Sequence, residues 1–225
     1  MQKSQSALVL IDLQKESNFG LQNMDSVIHY TKQIIEKARE QQIPIIYTRQ
    51  INRADGVGLP VGEPLNEDGT PFYYNDETDQ IEIIDEIAPQ EGDIVIDKYR
   101  WSAFFETELD LFLRNLGVTE LYMGGVVTDG CLMTSVYDAF FRDYNVHLIE
   151  DICTASNEGA HQSAILTLAN WVYNLKIYNT EHAIKKMDGE PHHFWASEKV
   201  DSKQFTAETM RTQIENIQKI AKGEI

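Results

Sequence analysis

The stretch Ala7-Leu8-Val9-Leu10-Ile11-Asp12-Leu13 decides the fold. Five consecutive apolar residues run without alternation into a carboxylate, the pattern of a strand covered on both faces. Asp25 or Ser26 then caps a helix to about Gln41, with Val27, Tyr30, Ile34 and Ala38 recurring every three or four residues, and Ile43 to Thr48 returns as a second strand. Strand, helix and strand in this order form one crossover unit of a parallel sheet. The pattern repeats downstream. Ile94 to Asp97 reads as strand, Thr107 to Asn115 as helix, and Glu120 to Gly125 as strand, with Gly117 stopping the helix between them. Cys131 to Asp143 has helical spacing, Val146 to Ile149 reads as strand, Ala160 to Asn170 as helix, and Leu175 to Tyr178 as a last short strand. The expectation is an α/β fold on a six-stranded, mainly parallel, Rossmann-like sheet.

Two segments stand outside the alternation. From Gln50 to about Asp79, Gly56, Gly58, Gly62 and Gly69 alternate with Pro60, Pro64 and Pro71, which predicts a long loop of the kind that often carries function. At about 205–222 a helical extension carries Met210, Ile214, Ile217 and Ile220 as a narrow apolar stripe, which packs on the body or on a second subunit. No repeat or linker divides the chain, so residues 1–225 are read as one domain.

The chain has 225 residues, with 36 acidic side chains against 19 basic and a net charge of −17. That balance repels phosphate backbones and anionic lipid, which argues against nucleic-acid and membrane-surface partners. Cys131 and Cys153 are too few for a disulfide framework and form no C-x-x-C motif. The apolar run from Ala7 is too short for a signal-peptide core or a membrane span. A cytoplasmic protein is expected.

In an open parallel sheet, ligands gather beyond the carboxyl ends of the strands. Asp12 directly follows the first strand and is either a turn residue or a site acid. Lys98 follows Ile94-Val95-Ile96-Asp97 and is either a snorkelling rim charge or a site cation. Cys131 comes after Gly124-Gly125-Val126-Val127-Thr128-Asp129-Gly130, where a strand gives way to a helix. A thiol there faces unpaired N–H groups and the positive end of the helix dipole, both of which favour thiolate. Cys153, after Ile149-Glu150-Asp151-Ile152, reads as an inert buried thiol. Together, Asp12, Lys98 and Cys131 supply a proton acceptor, a cation and a nucleophile on one edge of one sheet.

These residues carry a resemblance. Leu10-Ile11-Asp12-Leu13-Gln14, Asp97-Lys98-Tyr99-Arg100-Trp101-Ser102-Ala103-Phe104-Phe105 and Gly125-Val126-Val127-Thr128-Asp129-Gly130-Cys131, in this order, resemble the isochorismatase-like cysteine hydrolase family from about Ser6 to Tyr178. The resemblance implies a three-layer α/β/α fold, homo-oligomers, and an Asp, a Lys and a Cys that hydrolyse small amides, roles that fall to Asp12, Lys98 and Cys131. It also implies a cis peptide between Val126 and Val127, next to the oxyanion site. Nicotinamidase-like members carry an Asp-x-His and a further His as metal ligands after the second strand. Here Thr48-Arg49-Gln50-Ile51-Asn52-Arg53 is followed by no histidine before His147, so no metal or other cofactor is expected. True isochorismatases lack the cysteine.

The resulting expectation is a cofactor-independent cysteine hydrolase that cleaves a C–N bond of a small amide, ureido or carbamoyl compound through a thioester. An ether- or ester-cleaving enzyme, or a binding protein on the same fold, are the alternatives. Candidate substrate contacts each have a second reading. Gln14 orients Asp12 or makes a plain turn contact. Arg49 and Arg53 hold a substrate carboxylate or form ion pairs within the loop. Trp101, Phe104 and Phe105 wall an apolar pocket or belong to the core. His192 and His193 read as surface tail, and Gly56 to Gly62 misses the spacing of a dinucleotide loop.

Overall fold

The computed structural model describes residues 5–197, 199–201, 203 and 205–224. The chain runs β1 (Ser6–Ile11), α1 (Met24–Glu40), β2 (Ile45–Gln50), β3 (Ile94–Lys98), α2 (Leu109–Leu116), β4 (Glu120–Val126), α3 (Met133–Phe141), β5 (Asn145–Thr154), α4 (Glu158–Trp171), β6 (Lys176–Tyr178), α5 (Thr180–Met187), β7 (Trp195–Ala196) and α6 (Met210–Ala221). The strands form a sheet in the order β3-β2-β1-β4-β5-β6-β7, parallel except where β7 pairs antiparallel to β6. The sheet thus has seven strands rather than six. The added edge strand is two residues long, too short for any period to reveal.

Chain direction reverses at the centre of the sheet. From β1 the chain steps outward through β2 to β3, then returns to β4 on the other side of β1 and steps the opposite way. Right-handed crossovers running in opposite directions place their helices on opposite faces. Accordingly α1 packs with α5, and α3 with α4, giving three layers. Leu8, Val9, Leu10 and Ile11 of β1 are almost wholly buried, as expected of a central strand. Ile34, Ile35 and Ala38 on α1 cover one face, and Val136, Ala139, Ile165 and Leu168 belong to the same core. At about 25 cal/mol per Å² of apolar surface removed from water, burial of this kind is the main stabilising contribution.

The apolar stripe of α6 packs on this body. Ile214, Ile217 and Ala221 are buried, and the helix lies against α4, β6 and β7. Also unforeseen is α5, whose Asn179 cap accepts a hydrogen bond from the His182 N–H at 3.0 Å. His193 is not free tail: its N–H donates to His182 Nδ1 at 3.2 Å.

The segment between β2 and β3 folds back over the carboxyl edge of the sheet. Asn52 N–H donates to Tyr74 O at 2.9 Å, Tyr74 N–H to Glu16 Oε2 at 2.8 Å, and Phe19 stacks on Tyr73 at 4.3 Å. Gly125 shows how tightly β1 and β4 meet. Its φ is +124°, and a Cβ there would lie 2.1 Å from Ile11 O. Only glycine fits that approach.

Candidate active site

The reversal between β1 and β4 opens the crevice where a parallel α/β sheet binds its ligands. Asp12 sits at its β1 side with φ +52°, a left-handed conformation that aspartate tolerates better than most residues. Its N–H donates to Thr48 O and to Thr48 Oγ1, both at 3.2 Å, and Thr48 Oγ1 donates to Asp12 Oδ1 at 2.7 Å. The neighbouring strand therefore fixes the carboxylate in place. Oδ2 lies 2.6 Å from Lys98 Nζ and receives no aligned hydrogen bond among the described residues.

Lys98 ends β3 on the same face as buried Ile96, and its side chain is fully buried. Snorkelling is excluded. Besides the ion pair with Asp12, Nζ donates to Gln50 Oε1 at 3.0 Å and to Arg100 O at 3.1 Å. An ammonium has three donors, and Gln50 and Arg100 take two of them. Burial pulls the lysine's pKa down, but the neighbouring Asp12 and Cys131 outweigh it and leave the pKa raised.

Cys131 lies in a five-residue π-helical turn, Thr128–Leu132, that leads from the end of β4 into α3. Such turns are frequent at functional sites. The sulfur is close enough to both Asp12 and Lys98 for each to act on its titration. Cys131 is 7% exposed, against 1% for Asp12 and 0% for Lys98, so it is the member of the group that solvent reaches. Burial pushes the thiol up to about 12, Lys98 pulls it down and Asp12 pushes it up. This upward push opposes the helix terminus, which favours thiolate. Desolvation penalises the charged sulfur by more than the nearby cation offsets, and the sulfur rests as a neutral thiol.

The nucleophile turn is held from two sides. Ser135 Oγ donates to Cys131 O at 2.6 Å and accepts the Ala103 N–H at 2.8 Å, tying it to the segment after Lys98. On the other side, Thr128 Oγ1 contacts His161 Nδ1 at 2.9 Å, and Glu150 Oε1 is reached by His161 Nε2 at 3.3 Å and by Gln218 Nε2 of α6 at 2.6 Å. A polar cavity of about 400 Å³ between α1, α4 and α6 lies behind this chain, bounded by Glu150, His161 and Arg211. The peptide between Val126 and Val127 is cis, as the resemblance implied.

A cleft of about 540 Å³ abuts this group at Gln50 and at Thr134, one helical turn beyond Cys131. Trp101, 65% exposed, and Phe105 form its apolar wall, with Glu63, Arg100 and Asp138 also on its surface. Phe104 does not belong to it. At 4% exposure it turns into the core beside Tyr144, under the Arg142 guanidinium. Arg49 binds Asp97 through Nε and Nη2 at 2.7 and 3.0 Å, and Arg53 Nε binds Asp55 at 3.0 Å; both guanidinium groups sit in ion pairs within their own region. Gln14 does not reach the Asp12 carboxylate. It clamps the backbone of Gln50, accepting its N–H at 2.9 Å and donating to its carbonyl at 3.0 Å. Gln50, Thr48, Ser135 and Tyr74 were missed in the sequence. Tyr74 is buried beside Asp12 and Cys131, and burial together with those groups holds its phenol well above the usual range. Only Thr48 had a cue, its place at the end of the expected second strand.

Among the described residues, no three or more His, Cys, Asp or Glu side chains are grouped to hold a metal ion. Nor is any helix among them long and apolar enough to cross a membrane.

A strand-edge carboxylate, a buried lysine and a cysteine at a strand-to-helix turn meet on one edge of an α/β sheet, and residues 6–176 match the model of the isochorismatase domain. The chain belongs to the isochorismatase family. It is 36% identical over 101 residues to a ureidoacrylate amidohydrolase of Klebsiella pneumoniae, a match that spans 43% of each chain. A ureidoacrylate amidohydrolase of Yersinia enterocolitica is 28% identical over 202 residues, 78% of this chain and 88% of that one. Among solved structures, a cysteine hydrolase from Pseudomonas syringae superposes with a TM-score of 0.73 at 24% identity, covering 82% of this chain and 93% of the other.

Proposed function

We propose that the chain is a cysteine-dependent hydrolase that cleaves the C–N bond of a small amide, ureido or carbamoyl compound through a thioester. The observation that carries this reading is the meeting of Asp12, Lys98 and Cys131 at one point of the sheet edge, beside a cleft. The ureidoacrylate amidohydrolases among its relatives support extending C–N bond hydrolysis to this chain.

Asp12 Oδ2 takes the thiol proton as the sulfur attacks the carbonyl carbon, and Lys98 offsets the negative charge that the sulfur carries during transfer. The tetrahedral oxyanion is assigned to N–H groups of the Val127 to Cys131 turn other than that of Gly130, which already donates to Val127 O at 3.1 Å. One such donor contributes roughly 3 kcal/mol to transition-state stabilisation. Asp12 returns its proton to the departing nitrogen, the C–N bond breaks, and amine or ammonia leaves. The same carboxylate then deprotonates a water that attacks the thioester, giving the acid product and restoring the thiol. Closure by Tyr74 and its loop limits water to what this second step consumes.

The test is a panel of small amides, ureides and carbamoyl compounds assayed for ammonia or amine release. At least one is expected to be turned over by the native chain and not by Cys131→Ser. Release that survives Cys131→Ser, or release from esters or vinyl ethers alone, overturns the reading.

A further inference from the structure

A continuous run of hydrogen bonds leads from the buried lysine into the cleft. Lys98 Nζ donates to Gln50 Oε1 at 3.0 Å, Gln50 Nε2 to Asn52 Oδ1 at 3.5 Å, and Asn52 Nδ2 to Glu63 Oε1 at 2.7 Å. Its direction is fixed from both ends. An ammonium only donates, so Gln50 must present its oxygen to Lys98 and its NH₂ onward. Glu63 Oε1 and Tyr73 O only accept, and Asn52 Nδ2 donates to both, the second at 3.0 Å. Both amides are buried, so reversing either would leave polar groups facing like groups. Glu63 is therefore held as an acceptor on the cleft surface, with its second oxygen left for a ligand. Asp138, a second carboxylate of the cleft, is already paired with Arg142 Nη1 at 2.6 Å.

Two cations able to hold a substrate carboxylate are engaged outside the cleft: Arg49 binds Asp97 and Arg53 binds Asp55. Arg100 shares the cleft wall with Glu63; its Nη1 donates to Gly58 O at 3.0 Å and to Tyr99 O at 2.6 Å, and its charge favours the ionised, acceptor form of Glu63. The exposed ring of Trp101 on the same cleft adds a π face that favours a cation.

We propose that Glu63 sets the specificity of the cleft: it accepts a hydrogen bond from an ammonium or other N–H-bearing tail of the substrate, so the compounds taken carry a cationic or N–H-rich end and not a carboxylate. This deepens the hydrolase reading above and rests on it for the word substrate, while the charge preference of the cleft is testable without turnover.

The probes are two iodoacetamides of equal length, one ending in an ammonium and one in a carboxylate. Each alkylates Cys131 by displacement of iodide, followed by peptide mass mapping at about 0.15 M salt to screen the net charge. In the native chain the ammonium-tailed reagent is expected to label Cys131 faster. Glu63→Gln keeps an oxygen for Asn52 and turns an NH₂ toward the cleft, so the ratio of the two rates is expected to fall about tenfold to a hundredfold. Unfolding would draw the ratio toward that of a free cysteine, so the ratios are compared only once the variant's thermal melt and its Cys153 labelling match those of the native chain. An unchanged ratio overturns the proposal, as does labelling of Cys131 no faster than of Cys153. The same pair of tails on matched amides should show the same inversion in kcat/KM. Correct label ratios without amide turnover would sink the hydrolase reading and leave the charge preference standing.

Discussion

Replacing Asp12 by Asn separates two properties of the sulfur that usually move together. In the native chain the thiol is held up at about 12, against 9.0 for a free thiol, by burial and by the Asp12 charge, with Lys98 opposing. At neutral pH that lowers the thiolate fraction by about a thousandfold relative to a free cysteine. Asn removes one of the two upward influences and keeps Lys98, so the thiol pKa should fall by about one to three pH units. Turnover should nonetheless drop by about 10²- to 10⁴-fold, because the group that moves the proton is gone. Lys98→Met should do the opposite to the thiol and raise its pKa. Either change leaves one fully buried charge without its partner 2.6 Å away, which costs about 3–5 kcal/mol, so a thermal melt must first show that the variant is folded. The assay is the thiolate ultraviolet absorbance of each protein minus that of its Cys131→Ser counterpart, titrated from about pH 7 to 11. Thiolate absorbance that appears at no lower pH in Asp12→Asn than in the native chain, or turnover kept within tenfold, refutes the reasoning.

Two further outcomes follow from the structure. Cys131 is neutral when folded up to about 12 and ionises near 9.0 when unfolded, so the unfolded chain loses this proton first and folded stability declines between those values. Tyr47, raised to about 12 by burial, acts in the same direction. Cys131→Ala should therefore narrow the gap between Tm at about pH 8 and about pH 10, and an equal or wider gap contradicts the assignment. Gly125→Ala forces a Cβ toward Ile11 O at a positive φ and should cost at least about 3 kcal/mol in urea unfolding; a midpoint matching the native chain would contradict the tight β1–β4 approach.

The alternation of doubly covered strands with helices was readable because burial on both faces leaves an unbroken apolar run, as in Leu8 to Ile11. The same logic located Asp12 and Lys98, since a charge that directly follows such a run must emerge at the sheet edge. It failed where no period exists. β7 has two residues, and Phe104 and Phe105 are adjacent on an irregular segment, so no spacing tells which one enters the core. Glu63 reaches the cleft, and Tyr74 and Asn52 are buried behind it, through a long loop whose path depends on contacts such as Glu16 with Tyr74, far apart in the chain. The balance of influences on the Cys131 thiol was not legible for a related reason. Local position fixes the helix dipole, but desolvation depends on everything packed around the sulfur.

That balance also bears on survival under oxidants. Peroxide attacks the thiolate, and susceptibility follows thiolate character together with access. A thiol pushed up by burial and only 7% exposed offers little of either, so under the proposed mechanism its reactivity is kept for the moment when a ligand settles beside Asp12.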